Sequence, residues 1–396
     1  MSAAAGPPRL LYIGDVPVEP TVAGAALIYR LLDGYPAERL AICQSDLADP
    51  RRRAAGLPGV RYTEFSIGSR ALLHSRLAGL YAGQLLVRAP QRVSVVERLN
   101  PEVPDAVLTI AHGYTWRTAH AYAQRHGLPL HLVVHDDCAE TARVATLFRA
   151  YADRQFAAVY RAASSRLCVS PGMEAHYRST LHAAGSVIYP TRSRDAWAAS
   201  EPAARLREHS GPFTVAFAGS LNSGHLDVAG RLVRWLERNG GRLQIYGAMV
   251  SNTERDWLRS PNVTMETFVP SDQLAHVLRQ RADCLLVPMP FDERERLHTV
   301  LGFPSKIADY TAVGLPLLIA GPPYSSAVGW ARANPGVAAI VDQLDGDLLD
   351  QTLTRLETDS EWRWQLAATA LRVGEQQFSH ARGHRQLLEA VGGAAA

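Results

Sequence analysis

The chain has 396 residues, 47% of them apolar and 20% charged, with a formal net charge of +3. This length exceeds the roughly 250 to 300 residues at which a single core stops growing, so two domains of similar size are expected. The composition is that of a globular protein and excludes a mostly disordered chain.

The cysteines and the N-terminus bear on the compartment. Cys43, Cys138, Cys168 and Cys284 lie far apart in apolar runs, which favours buried reduced thiols over a metal cluster. The apolar stretch that ends at Gly14 is too short for a signal peptide, and no later stretch is long enough to cross a bilayer. We therefore expect a cytoplasmic protein, peripheral at most to the inner face of the cell membrane.

Short apolar runs alternate with helical stretches through the first half of the chain. The runs are RLLYIGD (9–15), LAICQ (40–44), VRYTEF (60–65), DAVLTIAHG (105–113), LHLVVHD (130–136), SRLCVS (165–170) and SVIYP (186–190). They are apolar on both faces, as strands covered by helices on each side would be. The pattern predicts a doubly wound parallel sheet.

Residues 51–98 of this half are basic, with nine arginines against two glutamates. Within them, residues 69–88 predict an amphipathic helix. Its apolar face would hold Leu73, Leu77, Leu80, Tyr81 and Leu85, with Arg70, Arg76 and Arg88 around it. Such a helix either faces the core with a solvated polar side or lies on an anionic membrane. A nucleic-acid partner is not expected, because no binding motif or aromatic platform accompanies the arginines.

The alternation restarts after a polar stretch at 191–211. The later runs are FTVAFAG (213–219), RLQIYG (242–247), VTMETFV (263–269), DCLLVPM (283–289), LPLLIAG (315–321) and VAAIVD (337–342). The chain is therefore predicted to contain two Rossmann-like domains. Ligands of such sheets bind beyond the carboxyl ends of the strands, so functional residues are expected in strand-to-helix turns.

The most informative segment is GFPSKIADYTAVGLP (302–316). Pro304 suits the first turn of a helix, Ser305 and Lys306 offer early N–H groups, and Gly314 ends the helix before a strand. Lys306 is the only lysine among the 41 lysines and arginines. Its charge in a first turn opposes the helix dipole, a conflict that a bound anion would remove; the alternative is an exposed lysine of no consequence.

This segment resembles the PSK-x-x-E-Y-x-A-x-G-x-P signature of glycosyltransferase family 4 and its GT-B relatives. The surrounding segments are similar in order as well. They are FAGSLNSGH (217–225), LQIYG (243–247), ETFVPSDQL (266–274) and ADCLLVPMP (282–290), preceded by LVVHDD (132–137) and RLCVSPGMEAHY (166–177). The resemblance covers nearly the whole chain and is far more specific in its C-terminal half.

The resemblance implies an α/β GT-B fold, with two Rossmann-like doubly wound domains facing across a cleft. Residues 1–193 would bind the acceptor and residues 194–375 the nucleotide sugar. Residues 376–396 would form a C-terminal helix that crosses back to the first domain, followed by a frayed tail.

The resemblance also implies roles for residues of the donor site. Lys306 and the start of its helix at Pro304 and Ser305 would neutralise the diphosphate, and Asp309, where the family has glutamate, would hold the ribose. Phe268 and Val269 would line the base. The turn residues Gly14 and Gly24 would face the donor phosphate, and His135 would contact the transferred sugar.

Two departures from the family pattern narrow this expectation. The family's second carboxylate would fall on Leu301, and Asp292, Glu293 or Glu295 could replace it only from the preceding loop. The loop that commonly holds an Arg and a Lys here has neither, which leaves Gly219, Ser220, Asn222 and His225 as neutral phosphate contacts.

The acceptor side is expected in the turns after the first and fourth strands. Its candidates are Asp15, His112, Tyr114, Trp116 and Arg117, although aromatic loop residues also commonly pack. No metal or other cofactor is expected, because the GT-B relatives need none and adjacent carboxylates at Asp136 and Asp137 are a weak metal signal.

The expected function is transfer of a sugar from a UDP or GDP type donor to a glycan, a lipid-linked intermediate or a small metabolite, with retention and without metal. One alternative is a GT-B sugar-nucleotide epimerase or phosphorylase. A second is a catalytically idle GT-B subunit that only binds a partner. Sugar, acceptor and linkage do not follow from these residues.

Overall fold

The computed structural model describes residues 6–20, 23–47, 56–206, 211–221, 223–247, 256–266, 269, 271–345 and 347–392. They form two compact units. Unit 1 comprises Met1–Pro190 and His380–Ala396, and unit 2 comprises Thr191–Ser379. Asn222, Phe268 and residues 51–55 of the basic stretch lie outside the described residues.

Unit 1 contains a parallel sheet of seven strands among the described residues, in the order β3-β2-β1-β4-β5-β6-β7. The strands are β1 (Leu10–Gly14), β2 (Leu40–Ser45), β3 (Arg61–Phe65), β4 (Ala106–Ile110), β5 (Leu130–Val134), β6 (Ser165–Cys168) and β7 (Ser186–Val187). The central strands β1, β4 and β5 are buried at every residue, as their apolar runs predicted. The order reverses between β1 and β4, which pair with Leu10 opposite Ala106.

Helices cover this sheet. They are α1 (Ala23–Leu32), α2 (Arg70–Leu73), α3 (Ala78–Arg88), α4 (Val93–Leu99), α5 (Trp116–His126), α6 (Cys138–Thr141), α7 (Thr146–Ala162) and α8 (Pro171–Leu181), with 3₁₀ turns at Ala37–Arg39 and Ala89–Arg92. Helix α8 has a capped first turn, because the Ser170 hydroxyl accepts from the Met173 amide and Pro171 occupies the first helical position.

The single helix expected at 69–88 is two helices, α2 and α3. Ser75 explains the break, because its hydroxyl donates to the Leu72 carbonyl, 2.8 Å away, and accepts from the Leu77 amide, 3.1 Å away. A serine that bonds the nearby backbone competes with the helical pattern. The apolar residues of the stretch therefore do not share one face: Leu85 is buried, whereas Leu77 and Leu80 are exposed.

Unit 2 contains a second parallel sheet, of six strands in the described part of the unit, in the order β10-β9-β8-β11-β12-β13. The strands are β8 (Thr214–Ala218), β9 (Arg242–Tyr246), β10 (Val263–Glu266), β11 (Cys284–Pro288), β12 (Leu317–Ala320) and β13 (Ala339–Val341). Its order reverses between β8 and β11, where Cys284 pairs with Val215. Twelve of the thirteen strands fall within the apolar runs of the sequence and β2 extends one residue beyond its run, which confirms the predicted fold class.

The helices of unit 2 pack on both sides of its sheet. They are α9 (Leu226–Asn239), α10 (Ser271–Arg281), α11 (Arg296–Leu301), α12 (Lys306–Tyr310), α13 (Ser326–Ala333), α14 (Leu348–Thr358) and α15 (Ser360–Phe378), with 3₁₀ turns at Ala204–Leu206, Ser223–His225, Asp256–Arg259 and Glu293–Glu295. Phe213, Phe217, Trp235 and Leu236 are among the side chains of one apolar core between β8, β9 and α9.

The last helix, α16 (His380–Gly392), belongs to unit 1. It packs on α1, where the His384 Nδ1 lies 3.0 Å from the Leu31 carbonyl oxygen. Helix α15 stays with unit 2, since the Trp330 indole donates to the Gln377 side chain over 2.8 Å. Unit 2 therefore ends at Ser379, beyond residue 375, where the sequence analysis placed the boundary.

Two further expectations concern the cysteines and membrane-spanning helices. All four cysteines are free and buried. None of the described helices is both long enough and apolar enough to cross a bilayer.

Candidate functional site

The first group of candidate residues lies in unit 2, where the strand order reverses. Gly219 directly follows β8, and its φ of +125° is one that glycine adopts readily. Its amide donates to the Tyr246 carbonyl, 2.8 Å away, which continues the β8–β9 pairing by one residue. Gly219 and Ser220 are exposed at this end of the sheet. The turn is thus open at the point where doubly wound sheets bind ligands.

Lys306 reaches this turn from the start of α12. Its ammonium lies 4.0 Å from the centroid of the Phe217 ring and 3.8 Å from the position that a Cβ would take on Gly219. No carboxylate of the described residues lies within 4 Å of the Lys306 nitrogen. Burial lowers the pKa of Lys306 to about 7. The aromatic face is therefore its main stabilising contact, and a bound anion would supply the missing countercharge.

Two histidines and a glutamate surround the same turn. Burial, together with the nearby charges of Lys306 and His298, lowers the pKa of His225 to about 3, so His225 is neutral at physiological pH. The buried Nδ1 of His225 has no hydrogen-bond partner among the described residues. Glu295 lies against Gly224, with its carboxylate 2.9 Å from the position of a Cβ there. Among the three loop acids, Glu295 is thus the one beside the turn.

Arg192 and Tyr310 fix α12 in place. The buried Arg192 guanidinium donates to the Ala308 carbonyl, 3.0 Å away, and to the Thr311 hydroxyl, 3.2 Å away, both near the end of α12. The Tyr310 hydroxyl accepts from the Ala218 amide, 2.5 Å away, at the end of β8. The Tyr310 contact holds the helix that bears Lys306 against the strand that bears Phe217, and Arg192 fixes the end of that helix.

The predicted helix start is corrected in one respect. Helix α12 begins at Lys306, with Ser305 as its N-cap, and it ends at Tyr310 well before Gly314. The amides of Ile307 and Ala308 donate to the carbonyls three residues earlier, which is 3₁₀ geometry. So short a helix has a weak dipole, and the Lys306 side chain becomes the main source of positive charge.

The other donor-site candidates differ in how far their side chains are exposed. Pro304, Ser305 and Val269 are partly exposed, and Asp309 is exposed on α12. Leu301 is buried as the last residue of α11, so this position serves packing and offers no carboxylate. Asp292 and Glu293 are engaged by Arg294 and Arg296 respectively.

The second group of candidates lies in unit 1, at the carboxyl ends of β4 and β5. His135 follows β5 directly, and its Nε2 is 2.8 Å from an Asp136 carboxylate oxygen. His112 follows β4, and its ring stacks on that of His135 with centroids 5.2 Å apart. Burial and the neighbouring His135 lower the pKa of His112 to about 4, so its imidazole is neutral near pH 7.

The glycines expected in this unit have different structural reasons. A Cβ on Gly24, in the first turn of α1, would stand 3.1 Å from His135 Nε2, so glycine there lets the helix start approach the imidazole. Gly14 is required by packing instead, because a Cβ would lie 2.1 Å from the Tyr12 hydroxyl. The structure thus brings Gly24 and His135 together and leaves Gly14 to the interior.

His112, His135 and Asp136 are one group of described residues whose ligand atoms lie within 4.8 Å of one another, close enough to share a metal ion. The two imidazole planes are inclined by only 17° in a stack. Ligand lone pairs lie in the ring plane, and stacked rings do not direct them to a common point. The buried His135 Nδ1 also has no described partner to orient the ring for a metal. This arrangement suits hydrogen bonding better than metal ligation.

The acceptor-side expectation needs correction. Tyr114 and Trp116 are buried, and the Trp116 indole donates to the Gly113 carbonyl, 3.0 Å away, so neither forms an exposed surface. Arg117 donates to the Leu86 carbonyl and to the Tyr151 hydroxyl, which fixes it between α3 and α7.

Asp15 is likewise an internal residue. Its carboxylate accepts from the Ser45 hydroxyl, 2.6 Å away, and from the amides of Tyr114 and Thr115. Burial raises the pKa of Asp15 despite these hydrogen bonds. Asp15 thus ties the turns after β1, β2 and β4 together. Of the five acceptor-side candidates, His112 is the one beside the His135 ring.

Sequence reasoning missed three residues of the first group. Phe217, His298 and Arg192 were not predicted to lie near Lys306 or its helix, whereas His225 was a donor-site candidate and Glu295 a possible replacement carboxylate. The position of Phe217 at the end of β8 is a signal, because strand ends in parallel sheets converge on the ligand. No sequence signal indicates that Arg192, which follows the change of unit, caps α12.

The sequence matches no protein-family model, and no curated protein matches it. The structure is similar to that of HepE from Anabaena in complex with UDP and glucose, with a TM-score of 0.63 at 13% identity, covering 97% of this chain and 99% of that one. It is similar to a sucrose-phosphate synthase from Thermosynechococcus elongatus, with a TM-score of 0.67 at 14% identity over 96% and 97% of the chains.

A third similar structure is an α,α-trehalose-phosphate synthase (UDP-forming) from Burkholderia vietnamiensis. Its TM-score is 0.64 at 10% identity, and the match covers 97% of this chain and all of that one (100%). At such identities the likeness shows the fold alone. The protein therefore has the GT-B fold of glycosyltransferases, which confirms this part of the sequence interpretation.

Proposed function

We propose that this protein transfers a sugar from a nucleoside diphosphate sugar to an acceptor hydroxyl, with UDP as the nucleotide. The GT-B fold supports the reaction class, and the choice of UDP is supported by the similar HepE structures, which hold UDP with glucose and UDP-glucose. Unit 2 binds the donor and unit 1 the acceptor in this proposal, and the transfer proceeds with retention and without a metal ion.

The observation that supports the donor site best is the Lys306 ammonium. It faces the Gly219 turn with an aromatic ring beneath it and no described carboxylate within 4 Å. When the bond between the sugar and the diphosphate breaks, its electron pair goes to a phosphate oxygen. A cation already placed at the turn stabilises this developing charge more than it stabilises the bound substrate, which is what accelerates the step.

The remaining residues are assigned smaller roles in the same proposal. Ser220 and His225 contact the diphosphate as neutral groups, and Asp309 receives the ribose hydroxyls. In unit 1, His135 donates or accepts a hydrogen bond at a hydroxyl of the transferred sugar, with its ring held by Asp136. His112, stacked on His135, lies on the acceptor side.

Isothermal titration calorimetry with UDP, GDP and ADP tests the donor site. Wild type should bind UDP tightest, and Lys306→Ala should weaken this binding by about tenfold or more, because one charge-assisted contact is worth roughly 1.5 to 3 kcal/mol. Arg234→Ala removes an exposed cation from α9 of the same unit and serves as the matched control. If none of the three nucleotides binds, the proposal is wrong.

A catalytically idle subunit is the second candidate, because Leu301 is buried where the family has a carboxylate. It predicts nucleotide binding without release of UDP from UDP-sugars when acceptors are added. An epimerase would instead convert the donor in the absence of any acceptor. Incubating UDP-glucose with and without a mixed panel of glycan and lipid-linked acceptors separates the three outcomes.

A further inference from the structure

Exposed apolar side chains are concentrated on one part of unit 1. Of the nine large apolar side chains exposed in the described part of the chain, five lie on α2, on α3 or just before it, and at the beginning of α7. They are Leu72 (41% exposed), Leu77 (58%), Leu80 (46%), Val87 (42%) and Leu147 (69%). Scattered single leucines at a surface need no explanation, whereas a cluster of this kind marks an interaction surface.

Helix α3 shows that the cluster is not an accident of one loop. Its buried face consists of Ala82, Gly83, Leu85 and Leu86. A helix that packs by such a face normally presents polar residues on the other side. Here Leu80 and Val87 lie seven residues apart on the exposed side, with Gln84 between them and Leu77 just before the helix. The solvent face of α3 is therefore largely apolar.

The start of α7 extends the same surface. The Ala145 amide donates to the Gly79 carbonyl, 2.9 Å away, and the Phe148 ring fills the space beside Gly83. Leu147 is two residues beyond Ala145 and Leu80 directly follows Gly79, so both leucines lie beside the contact between α3 and α7. Helix α3 also contacts α2, and the five exposed side chains of this region are called here the leucine patch.

The segment that carries four of the five patch residues has charge of one sign. Residues 66–96 contain four arginines and no aspartate or glutamate. Arg76 and Arg88 are exposed, as is Arg143 in the loop before α7. None of these three guanidinium groups has a described carboxylate within 4 Å. The patch also contains no exposed tryptophan or tyrosine, the residues that commonly anchor protein partners.

We propose that the leucine patch, flanked by Arg76, Arg88 and Arg143, docks this protein on a bilayer that contains anionic lipid. Leucines without polar groups enter the headgroup and acyl boundary, while the arginines pair with lipid phosphates. The contact is peripheral, in keeping with the absence of a spanning helix among those described. It does not depend on the proposed sugar transfer, although a lipid-linked acceptor would be reached from this surface.

Vesicle flotation of the full chain tests the proposal. The vesicles are phosphatidylcholine alone and phosphatidylcholine mixed with phosphatidylglycerol. Wild type is expected to float with the mixed vesicles, to remain below with the neutral ones, and to bind less as salt is raised. The double variant Arg76→Glu, Arg88→Glu should bind at least about twentyfold more weakly, because each arginine near an anionic surface is worth a factor of about five.

The apolar contribution is tested by one triple variant, which combines Leu77→Ser, Leu80→Ser and Leu147→Ser. This variant should also lose flotation. Two controls match these changes away from the patch: Arg234→Glu with Arg372→Glu for charge, and Val103→Ser with Met265→Ser for exposed apolar groups. Both controls should float like wild type.

Three results would overturn the proposal. One is no flotation of wild type on anionic vesicles, and another is equal flotation of wild type and both patch variants. The third is a wild-type dimer that the leucine variants dissociate without any vesicle binding, since the patch would then join two copies of the chain. UDP calorimetry on the same variants keeps these results separate from the donor site, because none of the substituted residues contacts it.

Discussion

The ammonium of Lys306 rests on the ring face of Phe217, 4.0 Å from its centroid. This pair joins the start of α12 to the end of β8 and brings the one lysine of the chain to the open Gly219 turn. A partly buried ammonium without a carboxylate partner is poorly stabilised. Burial disfavours its charged form, which is why the pKa of Lys306 is lowered. An anionic ligand would restore the charge, which makes the pair sensitive to pH and to ligand.

UDP affinity should fall as pH rises above about 7. The pKa of Lys306 in the folded protein, about 7, lies below its ordinary value of 10.5, so the free protein loses this charge within the measurable range. Binding then requires uptake of one proton, and the dissociation constant should rise by up to about tenfold per pH unit. Lys306→Arg keeps its charge and should flatten the profile. Calorimetry from about pH 7 to about pH 9 in matched buffers measures it, and an equal slope in both proteins would exclude Lys306 as the cause.

The lowered pKa of Lys306 also predicts how the free energy of unfolding depends on pH. Between about pH 7 and 10.5 the unfolded chain holds the Lys306 proton and the folded protein does not. The contribution of this group to the free energy of unfolding therefore increases with pH across that window. The slope should be absent in Lys306→Met, measured by urea unfolding.

Tyr310→Phe should lower the stability of the protein. The Tyr310 hydroxyl accepts from the Ala218 amide and donates to the Ala218 carbonyl, both buried at the end of β8. Without it these groups lose their partner, at a cost of about 1 to 3 kcal/mol in the free energy of unfolding. Tyr246→Phe is the control, because that hydroxyl contacts the Gln244 side chain, which can turn to another partner. Equal losses in the two variants would contradict the assigned role.

His135→Ala should reduce sugar transfer by about tenfold to a hundredfold while leaving UDP affinity within about twofold. The reason is that the proposal assigns His135 to the transferred sugar and UDP to unit 2. Asp136→Asn should give a smaller loss of turnover, since it only orients the imidazole. His176→Ala, on α8, removes a histidine that the proposal does not use. A parallel loss of UDP affinity would contradict the assignment of His135 to the transferred sugar.

Gly24→Ala should impair transfer although it adds only a methyl group. The new Cβ would stand 3.1 Å from His135 Nε2, so the imidazole or the start of α1 must shift by a few tenths of an ångström. Gly329→Ala is the matched control, because no atom lies within 4 Å of its Cβ position and the helical site should gain roughly 0.5 to 1 kcal/mol. Turnover and thermal melting of both variants are compared. If Gly24→Ala keeps full activity, turnover does not depend on the close approach of α1 to His135.

The sheets could be predicted from the sequence because the central strands are apolar runs between turn signals, a purely local pattern. The helix break at Ser75 was missed, because a hydroxyl that bonds the nearby backbone does not alter the apolar periodicity. The same limit applies to the site. The segment around Lys306 was recognised from its residues, whereas its contact with Phe217 and its support from Arg192 depend on the packing of distant segments.

The burial of two acceptor-side candidates, Tyr114 and Trp116, could not be predicted for a related reason. Tyr114 and Trp116 stand in a strand-to-helix turn, where exposed aromatic residues would suit a sugar. Here α5 begins at Trp116, and its indole packs edge-on against Phe156. Chain position alone does not distinguish these two outcomes, because both place aromatic residues after a buried strand.

The chain enters and leaves unit 2 at the same place, since the Arg192 amide donates to the Phe378 carbonyl over 2.9 Å. Unit 2 is therefore a continuous insertion in unit 1, the host, whose last helix is α16. A gene fragment for residues 191–379 therefore encodes one whole unit with adjacent ends, suited to isotope labelling and to a direct test of nucleotide binding. Removing the last helix, by contrast, would damage the host alone, because α16 packs on α1.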